Sequence, residues 1–270
     1  MRVRGILSVF ALMTGLLLFS ASAYADTCDL TGAAYGNYCG NVSTPAGING
    51  ALFQEVNPQA TGTGYIDPFV RVHPGGSQTV EQAYNTTVNN VLNNDSPDNW
   101  NQAVLIANLV PVQVGQTSYY LFNVDVNESH GGADALISLD EVQIFLSNDP
   151  NQSVDTFTGG IVDLAGTLVW RLDGNGDNVV LINQDLNPGS GAGDVNMYVP
   201  ASLFDPEDGQ YLYLYSHFGS YTAAGYGASD GFEEWRVLSG VPQNIPEPAT
   251  LLLLGTGLLG LGAKIRRRKS

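Results

Sequence analysis

The sequence predicts an all-β fold, a β-sandwich of jelly-roll type, and three observations carry that expectation. Short apolar and β-branched stretches recur along the middle of the 270-residue chain, separated by clusters of Gly, Asn, Asp and Pro. Several of them alternate with period two: in Tyr211-Leu212-Tyr213-Leu214-Tyr215 the tyrosines share one face and the leucines the other. Between residues 26 and 245 no stretch shows a capped helical period, although 80–92 is ambiguous. Many short strands joined by turns bury their apolar faces against a second sheet, hence a sandwich.

The chain opens on an export pattern. Arg2 and Arg4 form a charged start, residues 6–19 an apolar segment, and Ala23-Tyr24-Ala25 a small-x-small cleavage site, so residues 1–25 read as a signal peptide. Sec translocon and signal peptidase are the implied partners, with cleavage after Ala25 leaving Asp26 first. The alternative is an uncleaved anchor, which the short apolar segment and good cleavage site disfavour. Cys28 does not directly follow the cleavage point, so the lipoprotein pattern is absent. Cys28 and Cys39, with ten residues between them, form a disulfide in an oxidising compartment. Zinc would need a second pair of ligands, and none lies near them in sequence.

Residues 26–245 then read as one acidic β-sandwich domain. Strands are expected at 65–72, 103–114, 118–126, 136–146, 167–172, 178–183, 194–199, 210–218 and 232–238, with loops at 41–63 and 85–99. The domain has three arginines (Arg71, Arg171, Arg236), no lysine and 25 acids, a net charge near −22. Such a surface repels nucleic acid and anionic membranes and favours divalent cations or cationic surfaces. Plain solubility is the simpler use of the same charge.

The densest candidate site is Asp173-Gly-Asn-Gly-Asp177-Asn178. Asp173, Asn175 and Asp177 place three oxygen side chains at alternating positions around two flexible glycines, the logic of a calcium loop, with Asp185 and Asp194 as further carboxylates. Asn178 and Gln184 depart from the EF-hand pattern, and a hairpin turn explains the same residues. Calcium is the one cofactor the sequence suggests. Catalytic residues are not expected: His73, His130 and His217 belong to no HExxH pair, and no GxSxG elbow occurs. His130 reads as a loop histidine and His217 as the edge of the tyrosine face. Glu233 and Glu234 beside Trp235 form a pair of the kind a glycosidase uses, but they point to opposite faces of a strand. The face of Tyr211, Tyr213 and Tyr215, with Trp100 or Trp235, is either a sugar-stacking platform or a half-buried sheet face.

The C-terminus carries the most specific pattern. Pro246-Glu247-Pro248 leads into an uncharged Leu/Gly run at 249–263, followed by Lys264, Arg266, Arg267, Arg268 and Lys269. The prolines keep the triplet extended. Fifteen residues span roughly 22 Å as a helix, short of a ~30 Å hydrocarbon core, and snorkelling basic side chains cover the gap. The basic cluster holds that end on the cytoplasmic side. A buried core helix would not be followed by five such charges.

This order resembles the PEP-CTERM sorting signal of exopolysaccharide-producing Gram-negative bacteria. The resemblance implies Pro246, Glu247 and Pro248 as the motif recognised by the membrane protease exosortase, with processing near the triplet. It further implies transient inner-membrane anchoring, then a cell-surface or matrix location. The segment 170–204 also resembles one that recurs in domains bearing this tail, without implying an activity. The expectation is a structural or interaction protein of the exopolysaccharide matrix, without catalysis; the alternative is a carbohydrate-binding or carbohydrate-active module.

Overall fold

A computed structural model describes residues 26–238, apart from 33–34, 37, 40–46, 58–66, 74, 76–77, 89, 95–99, 190, 192, 222–224 and 229–230. The signal segment with Ala25, the Pro246-Glu247-Pro248 motif, the run at 249–263 and the basic tail lie outside the described residues.

The strands are β1 (Thr27–Asp29), β2 (Tyr38–Cys39), β3 (Leu52–Glu55), β4 (Val70–Val72), β5 (Glu81–Tyr84), β6 (Val104–Leu105), β7 (Val112–Val114) and β8 (Thr117–Asp125). They continue as β9 (Leu136–Ser147), β10 (Phe157–Thr158), β11 (Ile161–Val162), β12 (Thr167–Arg171), β13 (Val179–Asn183), β14 (Val195–Pro200), β15 (Tyr211–Phe218) and β16 (Glu233–Leu238). One sheet runs β1-β13-β9-β15-β5, with β12 also on β9 and β6 on β15. The second runs β2-β3-β14-β8-β16-β4, with β7 on β8, and β10–β11 form a separate hairpin. Stripped to eight strands, the orders β5-β15-β9-β13 and β4-β16-β8-β14 are those of a jelly roll. The predicted fold class therefore stands. β1 is the exception to the antiparallel rule, lying parallel to β13.

Alternation explains the layers. Leu212, Leu214 and Phe218 of β15 meet Phe122 and Val124 of β8, Met197 of β14 and Trp235 of β16 in the core between the sheets. Trp235 is fully buried, and its indole Nε1 donates to Ser216 Oγ of the facing sheet at 3.1 Å. The disulfide Cys28–Cys39 spans a Cα–Cα distance of 5.5 Å and joins β1, at the rim of one sheet, to β2, at the rim of the other. Closing so short a loop contributes about 2–3 kcal/mol.

Three expectations change. Residues 103–114 are not one strand: β6 pairs in one sheet, a 3-10 turn at Ile106–Asn108 follows, and β7 pairs in the other. The turn buries Ile106, so an apolar run that looks like one strand is a crossing between layers. The ambiguous 80–92 stretch contains the short strand β5, and β3 lies inside the expected 41–63 loop. Both are four-residue strands, too short to display a period.

Candidate functional site: an acidic groove on the outer sheet face

β9 is the source of the groove. Its core-facing residues are Ile137 and Leu139, then Val142, Ile144 and Leu146, so the parity of the alternation switches at Asp140–Glu141. The pairing to β15 shifts at the same place: His217 faces Glu141, whereas Phe218 faces Leu139. Asp140 is the extra residue of a β-bulge, which turns two successive carboxylates toward the outer face. Alternating apolar positions that change from odd to even were the signal that could have revealed this pair from sequence.

Beside the bulge, β12 and β13 both run antiparallel to β9, on the same flank. Residues 172–178 are therefore an excursion within one strand lane, and the hairpin expected there is replaced by a loop that juts from the sheet edge. The reason lies in its side chains, which fasten the loop to itself. Asn178 N donates to Asp173 Oδ1 at 2.7 Å, and Asn178 Nδ2 donates to Leu172 O at 2.7 Å and to Asn175 Oδ1 at 3.2 Å. Asp173 and Asp177 line the groove.

The resulting groove has a volume of about 730 Å³. Asp140, Glu141, Asp173 and Asp177 line it together with Arg171, and Phe157, Tyr215, His217 and Tyr221 provide its rings. Glu141 is the organiser. Its Oε2 accepts from Arg171 Nη2, and its Oε1 accepts from Val142 N at 3.0 Å and Asp173 N at 3.2 Å. Arg171 Nη2 also lies 3.8 Å from Asp173 Oδ2. Asp140 Oδ2 accepts from Ser138 Oγ at 3.0 Å and Ser220 N at 2.7 Å. Burial outweighs those bonds and pushes the Asp140 carboxyl up to about 6. Glu141 and Asp173 are raised as well, first by burial; for Glu141 the charge of Asp173 adds to it. Burial lowers His217, whose Nε2 lies 3.2 Å from Ser220 Oγ.

Other sequence candidates are dispersed. Asp185 pairs with exposed His130 at 3.2 Å, away from the 173–177 loop. Asp194 is buried with its Oδ2 accepting from Val126 N at 2.8 Å, and its carboxyl is raised by burial and then by Asp125. Among the described residues no three His, Cys, Asp or Glu side chains are grouped to hold a metal ion. Glu233 follows Trp235 into the interior while Glu234 bonds Arg71, so the pair cannot flank one sugar bond. Nor is the tyrosine face an open platform. Tyr213 and Tyr215 are 1% and 4% exposed, packed with Val162, Leu164 and Phe157 of the segment that follows β9. Tyr213 Oη donates to Asp149 O at 2.6 Å, locking that cover in place. Tyr221 is the exposed aromatic at the groove, edge-on to Tyr226 at 5.6 Å.

The comparison with known families concerns the tail. Residues 244–268 match the family described as PEP-CTERM protein-sorting motif. The chain carries a PEP-CTERM signal. That signal includes Pro246, Glu247 and Pro248 and implies exosortase as the processing partner, with export and membrane-anchored sorting. No curated protein and no solved structure matches the chain. Among the described residues no helix is long and apolar enough to cross a membrane.

Proposed function

We propose that this is an exosortase-sorted, surface-displayed jelly-roll protein that contacts matrix polysaccharide through the groove beside Asp140. Sec export with cleavage after Ala25, followed by processing near Pro246, brings the domain to the surface. The observation that supports the contact is the groove itself: four carboxylates and the exposed ring of Tyr221 at one outward concavity. Carboxylates accept hydrogen bonds from sugar hydroxyls and attract amino groups, and a ring offers a flat apolar face to a pyranose. The same charge repels uronate or sulfate polymers, so the ligand is a neutral or amino-bearing saccharide.

Two measurements test this. Intact-mass analysis of surface material is expected to give a chain starting at Asp26 and ending near Pro246; mature protein that retains Lys264–Ser270 would count against processing. Calorimetric titration with neutral, amino-sugar and uronate oligosaccharides is expected to show binding of one of the first two and none of the third. The Tyr221→Ala/Asp140→Asn variant is expected to bind at least about tenfold more weakly, the loss of roughly 1.4 kcal/mol. Unchanged affinity would remove the groove from the reading. Asp140, half-protonated near pH 6, is also what a general acid would look like. Reducing ends released by the protein but not by Asp140→Asn would replace binding by hydrolysis.

A further inference from the structure

The first described residues reach the groove from the far end of the chain. β1 is parallel to β13, so its start lies beside the start of β13, where the 172–178 loop ends. Asp26, one residue before β1, is held there from two sides. Its carbonyl accepts from Val179 N at 3.0 Å, and its own N donates to Asn178 Oδ1 at 2.7 Å. Asn178 is 1% exposed and is the residue that closes the loop, through Asp173 Oδ1, Leu172 O and Asn175 Oδ1. Its side-chain nitrogen is occupied by the loop and its side-chain oxygen by Asp26. Two residues further on, the disulfide from Cys28 fixes β1 to β2. Thr27 stands in the groove lining beside Asp173, Asp177 and Asn178.

In the uncut chain the Asp26 donor is an ordinary peptide N–H. Cleavage after Ala25 hydrolyses that bond: the carboxylate stays on the leader, and Asp26 N becomes a primary amine, which is protonated near neutral pH. A neutral hydrogen bond to Asn178 then becomes a charge-assisted one, roughly twice as strong. The surroundings favour that charge. Asp29 lies on β1 itself, Asp173 and Asp177 on or beside the loop's closing turn, and Asp140 and Glu141 across the groove. Arg171, the guanidinium of the lining, is already bonded to Glu141, and burial holds His217 toward its neutral form.

We propose that the α-ammonium of Asp26, created when the leader is removed, is a working part of the groove. Seated on Asn178, it locks the 172–178 loop and offsets the carboxylates around it, so the groove reaches its final form only in the exported chain. This role rests on cleavage after Ala25 and not on which saccharide the groove takes. It also gives Asp26 a singular chemistry. Residues 26–245 hold no lysine, and processing near Pro246 removes Lys264 and Lys269, so the α-amino group is the one primary amine of the finished protein.

The test uses processed protein isolated from the surface, its first residue read by N-terminal sequencing. Amine-reactive reagents then act at Asp26 alone: acetylation removes the charge, and reductive dimethylation keeps it. The acetylated protein is expected to melt at least about 2 °C below the dimethylated one near pH 6.5. Backbone amides of residues 172–178 are expected to exchange about fivefold faster after acetylation, with those of β8 unchanged. The melting difference closes as pH rises. An ammonium favoured by the fold keeps its proton above the unfolded value of about 7.7–8.0, so its contribution is whole below that range and is lost as pH passes the folded value. A variant with one glycine inserted between Ala25 and Asp26 carries its ammonium one residue away from Asn178 and is expected to behave as the acetylated protein. A mature chain that begins elsewhere than at Asp26 overturns the cleavage and the proposal together. A chain that begins at Asp26, but whose melting and loop exchange are indifferent to acetylation or to the inserted glycine, overturns the proposal alone.

Discussion

The domain is expected to melt at a higher temperature near pH 5 than near pH 8 when a chelator is present. Burial, with the charge of Glu128 in second place, pushes Glu81 up to about 8, and burial pushes Asp140 up to about 6. Asp194 is raised by the same cause, strongly. A raised carboxyl holds its proton in the folded state at pH values where the unfolded chain has already lost it. Folding therefore takes up protons in that window, and stability falls as pH rises. For Asp140 the window runs from the ordinary 3.8 to about 6, and for Glu81 from 4.5 to about 8. Their combined effect is on the order of 5 kcal/mol, or about 10 °C or more in a domain of this size. Calorimetry across this range decides it. Asp140→Asn is expected to flatten the acid limb, and Glu81→Gln the limb between about pH 6 and pH 8. A midpoint that climbs steadily toward pH 8 in chelator would show that these acids are ionised and partnered in the folded state.

The second large effect belongs to Arg71. Its guanidinium lies 3.7 Å from the ring centre of Trp100 and 4.0 Å from that of Phe232, while Nη2 donates to Glu234 Oε1 at 2.6 Å. Glu234 is itself buried. Arg71→Met removes the cation and leaves a buried carboxylate unpaired, a change that costs about 3–5 kcal/mol. The added loss of the ring contacts is smaller, about 1 kcal/mol. Urea unfolding of Arg71→Met, Glu234→Gln and the double variant measures the coupling. The double variant is expected to recover much of the loss, because no buried charge is then orphaned. If Arg71→Met unfolds at the same urea concentration as the unaltered protein, the pair is solvated and contributes little.

Most strands were legible because their period is written locally. Residues 118–126, 136–146 and 210–218 each show the pattern of β8, β9 and β15 within a residue or so of its bounds. β3 and β5 were not legible, since four residues hold too few alternations to separate strand from loop or helix. The site was half legible. Asp173, Asn175 and Asp177 announce themselves by spacing, and Asp173 and Asp177 do line the groove. Asp140 and Glu141 pass unnoticed, because a bulge is recognised only once a partner strand supplies the register against which one residue is surplus. The tyrosine row shows the reverse failure. Its alternation is plain in the sequence, yet nothing in Tyr211–Tyr215 foretells that the segment after β9 folds back over it.

The sequence by itself determined the address and the fold class. A sorting signal must be read by a protease as a linear string, so Pro246-Glu247-Pro248, the Leu/Gly run and the basic cluster are complete in one dimension. Period-two alternation between turn residues is likewise a local property, and it was enough for an all-β sandwich. Only the tertiary structure decided which of 25 scattered acids matter. Asp140 faces Asp173 because β12 and β13 share a flank of β9, and Glu81 shares an end of the core with Glu233 because two sheets stack. Burial and proximity set the cost of a charge, and both are properties of pairs of residues far apart in the chain. Glu81 and Glu233 stand 152 positions apart in the chain, and both are buried because their strands belong to the two facing sheets.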